Sequence, residues 1–301
     1  MNKAQQKKFQ SLYQKHVNAL KRQGKSQKTV DAYSRAVRRI TEYFDICPDR
    51  LNKGHLESFF DELIRTHSWS TVKLDRNGLQ FFYKHVLNRQ WDWIDIVKPP
   101  QVKSLPDILT PSEIERVINC ARELRYQTYI LTVYSMGLRL GEALNLKVGD
   151  IDADRKKVHI RAGKGLKDRY VTLPEFTLQA LRRYWATHRH PELLFPGGRF
   201  PKERNVAETP MDRGGLQKSF KAIIQSCGIH KRITIHSLRH CFGTHLTEKG
   251  LNLRAIQQEM GHQCPKTTAR YTQLSTPVQQ CADDLINALC NDLSLRMDGE
   301  V

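Results

Sequence analysis

The stretch Lys157-Val158-His159-Ile160-Arg161, followed after a short gap by Arg169-Tyr170-Val171-Thr172-Leu173, alternates apolar and polar side chains. A period of two is the pattern of a strand with one buried face. The gap, Ala162-Gly163-Lys164-Gly165-Leu166-Lys167-Asp168, is built from turn formers. Two short antiparallel strands are expected here. On both sides apolar residues recur instead every three or four positions, so the hairpin is an island in a mainly α chain.

Working outward, helices are expected downstream at about 175–188, 213–227, 235–249, 252–260, 265–273 and 277–293. Upstream, Thr110-Pro111-Ser112-Glu113 predicts a helix start. Thr caps, Pro suits the first turn, and Glu reaches back to the cap amide. Helices then continue to about residue 147. Before that, Val97-Lys98-Pro99-Pro100-Gln101-Val102-Lys103-Ser104-Leu105-Pro106 carries three prolines and marks a linker. Residues 1 to about 90 show four helical stripes: Phe9, Leu12, Tyr13, Val17 and Leu20; Val30, Tyr33, Ala36, Val37, Ile40 and Phe44; Leu56, Phe59, Phe60, Leu63 and Ile64; Leu79, Phe82, Tyr83 and Val86. Four amphipathic helices suit a small bundle. The expected organisation is a helical domain over 1–95, a linker over 96–109, and a mostly helical domain with a small sheet over 110–301.

Composition narrows the function. The 301 residues carry 49 Lys plus Arg against 31 Asp plus Glu, a net charge of +18. Such an excess attracts polyanions, nucleic acid above all. Mean hydropathy is −0.57, and no apolar run approaches the ~20 residues that span a bilayer. The polar start, Met1 to Lys8, does not read as a signal peptide. Seven cysteines, an odd number without a Cys-x-x-Cys pair, read as reduced thiols of a cytoplasmic protein.

Four segments carry chemistry. In Ile235-His236-Ser237-Leu238-Arg239-His240, His236 and Arg239 share a helix face, where an imidazole and a planar guanidinium suit a phosphate. In Gly137-Leu138-Arg139-Leu140-Gly141-Glu142, Arg139 lies near a helix start that favours anions, and Glu142 is placed to orient it. Gly163-Lys164-Gly165 puts a glycine-flanked lysine on the hairpin; it is no P-loop, because Val158 stands where that motif needs glycine. Gly261-His262 is followed nine residues later by Tyr271. Read singly, each is equally a basic surface helix, an ordinary helix entry, an exposed turn or a core aromatic.

Taken in order, Arg139, Lys164, His236-x-x-Arg239, His262 and Tyr271 resemble the catalytic boxes of the tyrosine recombinase, or phage integrase, family. The likeness covers about residues 105–290, and residues 1–95 resemble that family's SAM-like core-binding domain. The resemblance implies a site-specific recombinase that cuts one strand of double-stranded DNA by tyrosine attack. A 3′-phosphotyrosyl bond and a free 5′-hydroxyl result, and strands exchange through a four-way junction. It implies Tyr271 as nucleophile, Arg139 and Arg239 as donors to the developing negative charge, and Lys164 as general acid. His236 assists proton transfer, His262 is a further phosphate donor, and Glu142 supports. No cofactor and no metal is implied. The C-terminal stripe Val278, Cys281, Ala282, Leu285, Ile286, Leu289 and Leu293 resembles the helix that the family hands to a neighbouring subunit, so that four copies assemble on two duplexes. The stretch from Pro196 to Gly215 resembles the longer inserts of mobile-element integrases, so a mobile element or integron-like system is expected. Chromosome- or plasmid-dimer resolution is the alternative.

Competing readings remain. A DNA-binding relative without activity would have no use for the full set of boxes. A type IB topoisomerase-like enzyme shares the chemistry, but the core-binding domain and C-terminal tail favour recombination. A zincin would need Glu at position 237, where Ser237 stands. An RNA-binding module would need an aromatic strand or a GxxG clamp, and neither is found.

Overall fold

The computed structural model describes residues 1–91, 106–161, 168–262 and 264–271. Lys164, most of the 96–109 linker and the C-terminal helix expected at 277–293 lie outside the described residues. The chain divides into two compact units, Met1–Val102 and Lys103–Val301.

The first unit holds α1 (Lys3–Arg22), α2 (Gln27–Phe44), α3 (Lys53–Thr66) and α4 (Trp69–His85). Each starts at a side-chain cap, Asn2, Ser26, Asn52 or Ser68, whose oxygen accepts an orphan amide of the first turn. Ala36, Val37 and Ile40 of α2, Leu56, Phe59, Phe60 and Leu63 of α3, and Leu79 and Phe82 of α4 form the core. Ile64, expected on the same stripe, is exposed instead. Positions 56, 59, 60 and 63 already complete the buried face of that helix, and 64 falls beyond its edge.

One buried group escaped the sequence reading. His16 of α1 is fully buried between Phe81 and Phe82, at ring distances of 5.6 and 5.5 Å. Burial drives its pKa down to about 4, against a weak pull from the Tyr33 backbone. The unfolded chain titrates near the ordinary value of 6.5, so the fold holds His16 neutral while the unfolded state protonates as pH falls. Stability is therefore complete above about 6.5 and declines as pH falls toward 4. At pH 5 the loss is about 2 kcal/mol. His16→Leu should shed this part of the acid sensitivity. Urea unfolding at pH 7 and pH 5 checks it, and equal losses in both proteins would exclude His16 as the source.

The second unit holds α5 (Pro111–Cys120), α6 (Leu124–Ser135), α7 (Leu140–Leu144), the strands β1 (Ile151–Asp152), β2 (Lys157–Ile160) and β3 (Arg169–Thr172), then α8 (Glu175–His188), α9 (Pro201–Asn205), α10 (Arg213–Ser226), α11 (Ile235–Glu248), α12 (Leu253–Met260) and α13 (Pro265–Thr268). A 3₁₀ turn, Ala269–Tyr271, follows α13 directly. The Thr110–Glu113 capping box forms as the sequence predicts. The sheet is antiparallel in the order β1-β2-β3, with Val158 opposite Val171 and His159 opposite Tyr170. Val158, Ile160 and Val171 face the core, while Tyr170 and Thr172 face solvent. The β1 strand was not expected, because two residues are too few to show a period. Among the described residues no helix is long and apolar enough to cross a membrane.

Candidate active site

The site is assembled by the end of α12. The last carbonyls of a helix have no partner within it and carry the negative end of its dipole. Here three arginines from distant parts of the chain take three consecutive carbonyls. Arg169 Nε donates to Glu259 O at 3.3 Å, Arg239 Nη2 to Met260 O at 2.5 Å, and Arg139 Nη2 to Gly261 O at 3.1 Å. Gly261 ends the helix in the left-handed conformation, φ 61°. A Cβ there would also stand 2.7 Å from Cδ of Arg169, so position 261 takes glycine for two reasons.

One carboxylate binds the cluster together. Glu142 accepts from the Arg139 amide at 2.9 Å and from Arg139 Nη1 at 2.6 Å. It also accepts both terminal nitrogens of Arg169, at 3.0 and 2.8 Å, in the paired geometry a guanidinium favours. Arg239 Nη1 stands 4.0 Å away and donates to Gly137 O at 2.5 Å. Burial works against the Glu142 charge, but the arginines overcome it and hold its pKa at about 2. Its stabilising contribution is therefore present above about pH 4.5 and lost only as pH falls through about 2. Glu142→Gln leaves three guanidiniums crowded without their counter-charge. The unit is expected to lose about 3 kcal/mol, the low end for breaking a buried pair, because Arg139 stays partly wet. Chemical denaturation at pH 7 measures this, and a loss below about 0.5 kcal/mol would mean the arginines do not depend on Glu142.

Arg239 is 2% exposed, and burial followed by the neighbouring Arg139 lowers its pKa to about 9, so it stays charged at neutral pH. His236, one turn before Arg239 on α11, is exposed. Partial desolvation of the ring, then the charges of Arg239 and Arg139, lower its pKa. His262, immediately after Gly261, bonds Thr268 Oγ1 through Nδ1 at 2.9 Å, and its carbonyl accepts Gln257 Nε2 at 2.9 Å. Burial first, then Arg239 and Arg139, push its pKa down to about 3, so at neutral pH it is an uncharged imidazole.

Tyr271 closes the site. Its ring is 1% exposed and stacks on His262 with centroids 6.1 Å apart. It presses on α11 at Gly243, where a Cβ would meet ring carbons at 2.7 Å. Its hydroxyl lies 3.3 Å from Nδ1 of His240. Of the sequence-predicted residues, Arg139, Glu142, His236, Arg239, His262 and Tyr271 come together in this unit; Lys164 lies outside the described residues. Sequence reasoning gave no role to Arg169, Gly243 or His240. Arg169 closes the hairpin motif, and His240 ends the α11 motif, but nothing local says which carboxylate or hydroxyl either would meet. Among the described residues no group of three His, Cys, Asp or Glu is placed to hold a metal. Chemically, the cluster can receive a phosphodiester and present an oxygen nucleophile beside it.

Residues 107–277 match the phage integrase family, and residues 12–93 match the phage integrase N-terminal SAM-like domain. The tyrosine recombinase XerA of Thermococcus kodakarensis is 31% identical over 258 residues, covering 84% of this chain and 87% of that protein. Two solved structures share the fold. The XerH site-specific recombinase bound to its difH substrate aligns with TM-score 0.64 at 22% identity, over 84% of this chain and 78% of that one. The Tn1549 transposon integrase in complex with transposon right-end DNA aligns with TM-score 0.65 at 18% identity, over 86% and 94%. The chain belongs to the phage integrase family and is a tyrosine recombinase.

Proposed function

We propose that this recombinase cuts and rejoins double-stranded DNA at specific sites with Tyr271 as its nucleophile. The observation that carries this reading is the convergence of Arg139 and Arg239 on adjacent carbonyls at the end of α12, in the same unit as Tyr271. In-line attack by the Tyr271 oxygen on phosphorus forms the 3′-phosphotyrosyl bond and expels the 5′-oxygen. Arg139 and Arg239 neutralise the charge that builds on the non-bridging oxygens, and His262 donates a further hydrogen bond. Lys164 protonates the leaving oxygen, and His236 assists proton transfer. A 5′-hydroxyl from a partner strand reverses the step, so strands exchange through a four-way junction. The reading is supported by the family match and by DNA in the XerH and Tn1549 integrase complexes. The test is direct. The protein is incubated with nicked duplexes cut from the DNA flanking its own coding sequence, in EDTA. A covalent protein–DNA adduct at a 3′-phosphate is expected; an adduct that forms only with added Mg²⁺ or Zn²⁺ contradicts the assigned roles.

Residues 1–95 would serve as the core-binding clamp, 96–109 as the linker and 110–301 as the catalytic domain. The enzyme would act in the cytoplasm as a tetramer on two duplexes. The stretch from Pro196 to Gly215, which resembles the longer inserts of mobile-element integrases, favours a mobile element or integron-like system. Residues 277–301 would be the element exchanged between subunits, docking six residues after the nucleophile and so coupling assembly to activation. Deleting them is expected to leave single-site binding within about tenfold, or ~1.4 kcal/mol, while recombination of two sites collapses. Gel-shift and two-site recombination assays separate these. A truncated chain that recombines at the full rate removes the segment from assembly, and one that loses its circular dichroism places the stripe in its own core.

A further inference from the structure

His240, which no role so far has used, faces the Tyr271 hydroxyl. A phenol ionises near 10 in water. Tyr271 is buried, and attack on phosphorus by a neutral phenol calls for a base that removes the proton as the new bond forms. Two imidazoles stand against Tyr271, and a third stands against one of them. His262 stacks on the ring, engages Thr268 through Nδ1 and, with a pKa near 3, is a poor base. His236 lies edge-on to His240, with centroids 4.8 Å apart. His240 has Nδ1 3.3 Å from the Tyr271 oxygen. The ring of Tyr271 is meanwhile fixed by Gly243 on α11, one turn beyond His240, so both partners are registered to one helix.

We propose that His240 is a catalytic residue of this recombinase, the base that takes the Tyr271 proton directly, with His236 assisting that transfer from beside His240. The inference rests on Tyr271 being the nucleophile. In cleavage the Tyr271 oxygen bonds to phosphorus, its proton passes to Nδ1 of His240, and the bond from phosphorus to the 5′-oxygen breaks. A separate acid protonates that leaving oxygen. In religation the incoming 5′-hydroxyl attacks and gives its proton back to the conjugate base of that acid, the tyrosyl–phosphorus bond breaks, and the His240 imidazolium returns the proton to the phenolate. Nδ1 must start unprotonated, so His240 carries its proton on Nε2.

Two measurements test this. In the first, ¹⁵N-histidine spectra of the full chain at neutral pH report the tautomer. His240 is expected as the Nε2–H form, with an Nδ1 resonance that moves when Tyr271 becomes Phe. A proton on Nδ1, or a resonance indifferent to Tyr271→Phe, overturns the proposal. In the second, adduct formation is followed in a single turnover on the nicked duplexes described above. His240→Asn keeps a polar group near Nδ1 but accepts no proton. Its cleavage is expected to fall between about 100- and 10,000-fold, with DNA binding unchanged within about threefold. Imidazole in the buffer should restore part of the rate to His240→Ala. His240→Asn cleaving within about threefold of the parent overturns the proposal. So do slow variants that imidazole does not rescue, since they show a packing role only. The Tyr271→Phe control tells the two readings apart. If it still forms an adduct, or the parent forms none, the assignment of Tyr271 has failed first.

Discussion

Tyr271→Phe is expected to bind DNA as the parent chain does and to form no covalent adduct with it. The substitution removes one oxygen and keeps the ring, which is the part that packs. The ring stacks on His262 and fills the space left by the missing Cβ of Gly243. The hydrogen bond to His240 goes with the nucleophile, and losing a hydrogen bond costs about 1 kcal/mol in stability. Thermal unfolding should therefore move by only a few degrees, while adduct formation drops below detection. An adduct that persists in the Phe variant would assign the nucleophile to another side chain.

Arg239→Lys carries the second largest expected effect, and it acts twice. The guanidinium is buried and spans two carbonyls at once, Gly137 O before α7 and Met260 O at the end of α12. An ammonium on a flexible stem reaches one of these and leaves the other without its donor, which costs about 1–3 kcal/mol. The same burial that draws Arg239 down to about 9 acts on a lysine whose reference value is lower, so the variant also gives up charge at neutral pH. On the chemistry, losing a preorganised donor to the transition state costs about 100- to 1,000-fold. Adduct-formation rates and urea unfolding measured on the same preparation separate the two effects. A Lys variant that matches the parent in both would show that neither carbonyl nor phosphate depends on the guanidinium fork.

The two substitutions differ in how visible their targets were. Tyr271 and Arg239 are both named by their motifs, but their surroundings are not. For Tyr271 the sequence permits a core aromatic or a nucleophile. The structure places it in a buried position with its hydroxyl against an imidazole 31 residues away. For Arg239 a helix face shared with His236 suggested two groups presented alike. Instead His236 is exposed and Arg239 is sealed, because the α11 face that carries Arg239 packs on the end of α12.

What the sequence by itself determined is everything that depends on neighbours along the chain. The Thr110–Glu113 box and the pairing of β2 with β3 rest on groups close together in the chain. So does the Arg139–Glu142 pair, three apart at a helix start. Such contacts follow from backbone geometry and survive any tertiary arrangement. The tertiary structure alone decided that Arg169 clamps Glu142 from 27 residues away and that three arginines line up on carbonyls 259, 260 and 261. It also decided that His16, on an otherwise half-exposed helix, lies between two phenylalanines. A basic side chain on a helix reads the same whether it meets water or a carbonyl. Which one it meets is set by how the helices pack, and packing is a property of the whole unit.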